Sequence, residues 1–267
     1  MLTIQQLPMS LFEALQVEPA GAHLRVINDS LINATYCLTE NERRFLVKQF
    51  HADETTGLSR TSLFEMQRQI ASCGVAPMPL FLSEDNRLYV EEWIPACPQP
   101  VSILPDSERL DLLAHALNTA HMLGIETQVL PMPERWQAYV KSARLQPDDP
   151  LVAQVKGLEA DYFACVQNSD DLVFCHNDLA FGHIFASQPM KIIDWEYAAT
   201  GNRYFDLGSA FIINRLNQTQ QRHVCAKYAQ LSELPERQVV DGVAHCSPMV
   251  NLTYKLWYAA ITEHLKQ

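Results

Sequence analysis

No two cysteines of this chain stand close enough in sequence to form a metal knuckle. The seven, Cys37, Cys73, Cys97, Cys165, Cys175, Cys225 and Cys246, are odd in number and scattered. That argues against a zinc ribbon or a disulfide scaffold, and as small apolar side chains they suit a core. No apolar run approaches the roughly 20 residues needed to span a bilayer. The opening MLTIQQLPMSLFEALQ has no basic region ahead of an apolar core, so a signal peptide is not expected. These absences predict a cytoplasmic protein with no membrane partner. Positive charge is also short: 20 Lys and Arg face 31 Asp and Glu, a formal net charge of −11. Nucleic-acid binding needs clustered cations and is not expected, whereas an acidic field favours a cationic small molecule. The 267 residues contain no internal repeat and no low-complexity tract, and they suffice for one large domain or two lobes.

What the chain does have is concentrated in LVFCHNDLAFGHIFASQPMKIIDWEYAATGNRYFDLGSAF, residues 172–211. Leu172–Cys175 and Lys191–Ile193 read as short buried strands bounded by turn chemistry. Each ends in polar residues that a buried strand would avoid, His176-Asn177-Asp178 after the first and Asp194 after the second. Carboxylates just past the ends of neighbouring strands can serve as a general base and a metal ligand. They can equally cap helices. For Asp206 that alternative means bracing the loop from a helix start.

The order and spacing resemble the catalytic half of the aminoglycoside phosphotransferase and choline kinase family, a relative of the protein kinases. Cys175-His176-Asn177-Asp178-Leu179 followed by Ile193-Asp194-Trp195-Glu196-Tyr197-Ala198 is most similar to its choline, ethanolamine and thiamine kinase branch. The resemblance implies an α+β, two-lobed protein-kinase-like fold. Residues 1–94 would form a small nucleotide-binding N-lobe with an antiparallel sheet, and residues 95–267 a larger, mostly helical C-lobe carrying catalysis and substrate binding. It implies an enzyme using ATP and magnesium, with manganese as an alternative, to phosphorylate a hydroxyl of a small cationic metabolite. A nucleotide-binding pseudokinase and an aminoglycoside phosphotransferase are the alternatives.

Residue by residue, the resemblance makes Asp178 the catalytic base and Asp194 a magnesium ligand. His183 stands where the family has Asn, a metal ligand and loop brace. Lys48, in the apolar strand Phe45-Leu46-Val47-Lys48, matches the lysine that reaches the nucleotide phosphates. Glu65, on a helix expected over 59–73, resembles that lysine's ion-pair partner, although Ser62-Leu63-Phe64-Glu65 also fits a capping box. Asn33 closes a loop, 28–33, that covers phosphates in the family but here has no glycine, so an ordinary hairpin turn is the alternative. Glu92 lies where the chain crosses between lobes and receives adenine.

Strands are expected at 24–27, 34–38, 44–50, 77–82 and 87–94, and a short helix within 1–18. Further helices are expected at 106–123, 133–144, 151–167, 204–216, 219–231, 235–246 and 248–265. Tyr254, Trp257 and Tyr258, with Trp195 and Tyr197, could wall a cationic ligand or simply pack the core.

Overall fold

The computed structural model describes residues 2–29, 33–51, 59–95 and 101–264. The chain divides into two compact units, Met1–Pro98 with Phe185–Glu196, and Gln99–Ile184 with Tyr197–Gln267. A single cut after residue 94 therefore does not describe them, because Phe185–Glu196 belongs to the first unit. Hydrogen bonds to the carbonyls of Val75 and Ala76 account for this. The Ile192 N–H donates to the Val75 carbonyl at 2.7 Å, and Lys191 Nζ donates to the Ala76 carbonyl at 3.3 Å.

The first unit begins with α1 (Met9–Leu15), the short helix expected within 1–18, which Pro8 starts and Gln16 ends in the left-handed conformation. Then come β1 (Ala22–Asp29), β2 (Asn33–Glu40), β3 (Arg43–Phe50), α2 (Arg60–Ser72), β4 (Pro79–Leu82) and β5 (Leu88–Glu92). The five strands form one antiparallel sheet in the order β1-β2-β3-β5-β4. Glu40 pairs with Arg43, leaving Asn41 and Glu42 as a two-residue turn. Asn41 has φ 52°, as a hairpin of that length requires. One face of the sheet buries Ala34, Tyr36, Leu38, Val47 and Val90 against Leu11, Phe12 and Leu15 of α1.

The second unit contains α3 (Asp106–His121), α4 (Met132–Ser142), α5 (Pro150–Gln167) and β6 (Leu172–Cys175). Beyond these come the short strands β7 (Ile184–Phe185) and, returning to the first unit, β8 (Lys191–Ile192). The second unit resumes with β9 (Ala199–Asn202), α6 (Arg203–Ile213), α7 (Gln218–Ser232) and α8 (Glu236–His264). α4, α5, α6 and α7 all pack on α8. Trp136 of α4 is fully buried and donates Nε1–H to Thr253 Oγ1 at 2.7 Å. The two expected helices at 235–246 and 248–265 are one helix of 29 residues with Pro248 inside it. A proline removes one helical donor. The buried stripe Cys246, Met249, Val250 and Leu252 nevertheless runs across the interruption, so side-chain packing carries the helix through it. No helix of the described residues is long and apolar enough to cross a membrane.

The approach of α8 to α6 is set at Gly242. A Cβ built there would lie 2.4 Å from Cδ2 of the buried Tyr204 ring. Gly242→Ala is therefore expected to cost about 1–3 kcal/mol through overpacking, although alanine is the better helix former. Chemical denaturation of the variant checks this, and a gain in stability would mean that the ring yields freely.

Candidate active site

In the second unit the chemistry is built around the end of β6. β6 pairs antiparallel with β9, from Leu172↔Asn202 to Cys175↔Ala199. Where the pairing stops, the His176 and Asn177 N–H groups need acceptors. Asp206, in the first turn of α6 and fully buried, supplies both: His176 N–H reaches Oδ2 at 2.9 Å and Asn177 N–H reaches Oδ1 at 2.7 Å. His121 Nε2 lies 3.0 Å from Oδ2. An ionised carboxylate only accepts, so His121 carries its proton on Nε2. Its Nδ1 then accepts from the Tyr228 hydroxyl at 2.7 Å. Burial alone would raise the Asp206 pKa, but the hydrogen bonds donated by His121 and by the His176 N–H outweigh it and hold the carboxyl below its ordinary value.

Asn177 takes φ 64°, left-handed backbone that non-glycine residues seldom adopt. Its side chain secures that conformation by donating to the Tyr197 carbonyl at 3.0 Å. The main chain of Asp178 is held on both sides. Its N–H donates to His176 Nδ1 at 3.3 Å, and its carbonyl lies 2.9 Å from His183 Nδ1. A carbonyl accepts only, so this contact calls for a proton on His183 Nδ1; the Ala180 N–H makes a longer approach to the same nitrogen, at 3.4 Å. The His183 ring stacks on His176 at 5.9 Å. His183 thus holds the Asp178 carbonyl within the loop. Asn214, just past α6, adds a brace that no motif announced: it accepts from the Phe181 N–H at 2.8 Å and donates to the Leu179 carbonyl at 2.9 Å.

In the first unit, Lys48 of β3 and Asp194, 146 positions later, form an ion pair at 3.1 Å. Asp194 follows β8 and is also left-handed, with φ 68°. Burial works against the charge on Lys48, but Asp194, Glu91 and Glu196 outweigh it and hold its pKa above the ordinary lysine range.

Glu65 is not the partner of Lys48. It sits mid-way along α2 with its side chain 57% exposed, 3.5 Å from Arg68 one turn on. Nor does it belong to a capping box, since Ser59 caps α2 through the Ser62 N–H. The carboxylate buried near Lys48 comes instead from β5: Glu91 is 3% exposed. Glu92, its neighbour, is exposed and closes a two-bond clamp with Met78, in which its N–H donates to the Met78 carbonyl and its carboxylate accepts the Met78 N–H. The Glu92 amide is therefore committed. Asn33 opens β2 opposite Phe50, while residues 30–32 of the expected phosphate loop lie outside those described. Trp195 is buried and donates to the Ile192 carbonyl. On α8, Tyr254 and Trp257 stack at 6.1 Å, with Tyr254 and Tyr258 exposed rather than packed in the core.

Asp206→Asn leaves one acceptor oxygen where two oxygens now serve three donors. It is expected to destabilise the protein by on the order of 3 kcal/mol at neutral pH. Because the folded carboxyl titrates below its ordinary 3.8, its stabilisation is complete above that value and fades as pH falls through the lower, folded one. Thermal melts of both proteins across this range should converge only below pH 3.8; convergence near neutrality would contradict an ionised Asp206.

The profile of the phosphotransferase enzyme family matches residues 23–242. A thiamine kinase of Escherichia coli is 24% identical over 236 residues, covering 86% of this chain and 80% of the relative. Among solved structures, an ethanolamine kinase of Plasmodium vivax superposes with a TM-score of 0.73 at 15% identity, covering 95% of this chain and 81% of that one. Choline kinase LicA from Streptococcus pneumoniae, in its complex with AMP, gives 0.69 at 15% identity, with coverage of 96% and 89%. These superpositions establish the expected two-lobed, kinase-like α+β fold. With a family profile spanning most of its length, this chain belongs to the phosphotransferase enzyme family.

Proposed function

We propose that this protein is an ATP-dependent small-molecule kinase whose acceptor is a hydroxyl on a small cationic metabolite of the choline, ethanolamine or thiamine kind. The observation that carries the reading is the Lys48–Asp194 pair. It joins a strand lysine, matching the one that holds nucleotide phosphates, to a carboxylate in a sterically demanding turn, and such turns concentrate at functional sites. Family membership and a relative named thiamine kinase support it. The net charge of −11 and the exposed aromatic side chains of α8 favour a cationic acceptor.

In this reading Lys48 holds the α- and β-phosphates. Asp178, on a backbone fixed by His176 and His183, accepts the proton of the acceptor hydroxyl as the hydroxyl oxygen bonds to the γ-phosphorus and the bond from that phosphorus to the β–γ bridging oxygen breaks, with ADP as the leaving group. Asp194 and His183, the residues that the family resemblance assigns to the metal, would hold the divalent cation. A hard carboxylate oxygen suits magnesium, and an imidazole nitrogen extends the fit to manganese. That cation, when bound, neutralises the phosphate oxygens. Since the Glu92 amide is committed to Met78, adenine would be received by the main chain after it, at Trp93 and Ile94. Catalysis of this type is positioning and charge neutralisation.

The test is ATP consumption with thiamine, choline, ethanolamine and an aminoglycoside, beside thermal shift with ATP and magnesium. Asp178→Asn should lose about a hundredfold or more in kcat while retaining nucleotide binding. Nucleotide binding without turnover on any acceptor would instead favour a regulatory pseudokinase. A second expectation concerns the metal. His183→Asn restores the family residue, an oxygen donor that can also brace the loop, and should preserve or improve magnesium-dependent turnover relative to manganese. Loss of activity with both metals would remove His183 from the assigned role.

A further inference from the structure

We propose that Cys165 of α5 and Cys246 of α8 form a reactive thiol pair, a modification site that takes a small cationic disulfide and closes into a reversible bond between the two helices. Both line a cavity of about 440 Å³ in the second unit, with Asn202, Tyr204, Gln238 and His245. Cys165 is 8% exposed and Cys246 1%. Asn202 ties the two together. Its Nδ2 donates to the Cys165 carbonyl at 3.1 Å, and its Oδ1 lies 3.7 Å from Cys246 Sγ and receives the S–H. The same oxygen accepts the Tyr204 N–H and so caps α6. The Cys246 S–H has a second acceptor in the Cys165 sulfur. One weak donor thus stands between an amide oxygen and the other thiol.

A buried thiol is ordinarily inert, because burial disfavours the thiolate that reacts. Cys225 of α7 follows that rule, since burial and Glu236 push it up to about 11. Cys165 departs from it. The bond from Cys246, with the bond and charge of the exposed His245, outweighs burial and Asp161 and brings the thiol down to about 7. Cys246 is pushed upward by its bond to Cys165, by burial and by the charges of Cys165 and Asp171. The two thiols therefore divide the work: Cys165 attacks and Cys246 resolves. The Cys165 thiolate attacks one sulfur of the small disulfide, whose S–S bond breaks. A mixed disulfide forms on Cys165, and the departing thiolate takes a proton from water. Cys246 then attacks the Cys165 sulfur and passes its proton to the second departing thiolate. Two protein thiols are oxidised, and one small disulfide is reduced to two thiols. Asp171 and Asp241 also line the cavity, so a disulfide bearing amines suits it better than an acidic one. Oxidation withdraws the Cys246 S–H from Asn202, the cap of the helix that carries Asp206.

The experiment uses the full chain, reduced, freed of reductant and treated with cystamine at neutral pH. Intact mass and mapping of linked peptides follow the reaction. A cysteamine adduct should appear on Cys165 and give way to a Cys165–Cys246 link, and dithiothreitol should reverse both. Cys225, also buried, is the internal control, and Cys165 should react faster than it by on the order of tenfold or more. Cys246→Ser should hold the adduct on Cys165 without any link, and Cys246→Ala serves the same purpose if serine unfolds the chain. Cys165→Ser should leave Cys246 unmodified. His245→Gln should slow addition at Cys165 by about threefold. Cys73 is exposed and reports that the reagent is active. If Cys73 is modified while Cys165 stays as inert as Cys225, or if Cys246 links to a different cysteine, the proposal is overturned. The native chain alone decides this, whatever becomes of the variants and of the kinase reading.

Discussion

One buried carboxylate governs the geometry of the loop that follows β6. β6 runs out of partners at Cys175, and the next two amides point away from the sheet. Left without acceptors, each would cost about 1–3 kcal/mol. Asp206 takes both, one on each oxygen. A carboxylate can do this and a carboxamide cannot, which accounts for an ionised side chain at full burial. The charge is tolerated because His121 donates into it and Tyr228 donates into His121. Arg203 Nη1, 3.5 Å from the Tyr228 oxygen, lies at the far end of the same chain of bonds. Asp206, His121 and Tyr228 are each bonded to the next, and such a connected run of polar groups favours one conformation. The conformation it fixes presents Asp178.

The two units solve the same local problem in the same way. In each, a short strand ends and a residue with a Cβ turns left-handed, Asn177 in one and Asp194 in the other. Such positions cost of order 1–3 kcal/mol for most side chains, less for Asn and Asp, whose short polar groups bond locally. Asn177 offsets the cost through Tyr197 and Asp194 through Lys48. Glycine would take this backbone without strain but would carry no functional group. Asn and Asp are the residues that combine the turn with chemistry.

This pairing of turn and chemistry made residues 172–206 legible in the sequence. An apolar run that stops abruptly at polar residues marks a strand end that carries side-chain chemistry, and Lys48 stands out in an apolar strand for the same reason. Elsewhere no such signal exists. β9 is Ala-Thr-Gly-Asn, which lacks any strand periodicity and is extended only because β6 pairs with it. The continuity of α8 through Pro248 depends on a buried stripe that no local rule weighs against a missing donor. Glu65 misled because helix position was matched to a family spacing, while the rotation of α2 about its axis, invisible in sequence, turns Gln67 toward the sheet. Glu91 escaped notice because two adjacent glutamates, Glu91 and Glu92, look alike in sequence. The strand period of two sends the first inward and the second to solvent.

Charge balance around Lys48 then bears on how a nucleotide could be accepted at all. One ammonium group is surrounded by Asp194, Glu91 and Glu196, inside a chain that is already acidic. A bare nucleoside triphosphate carries several negative charges and would meet a field of its own sign. Salt screens such repulsion only beyond roughly 8 Å, so it cannot help at contact distance. The arrangement favours a nucleotide that arrives with its charge already partly neutralised by a divalent cation. In the proposed function, the carboxylates that repel free phosphate would be the groups that select for the cation-bound form. The negative neighbours of Lys48 hold it protonated. The acidity of this unit and its buried lysine would in that reading be one device, discriminating between two states of the same ligand by charge.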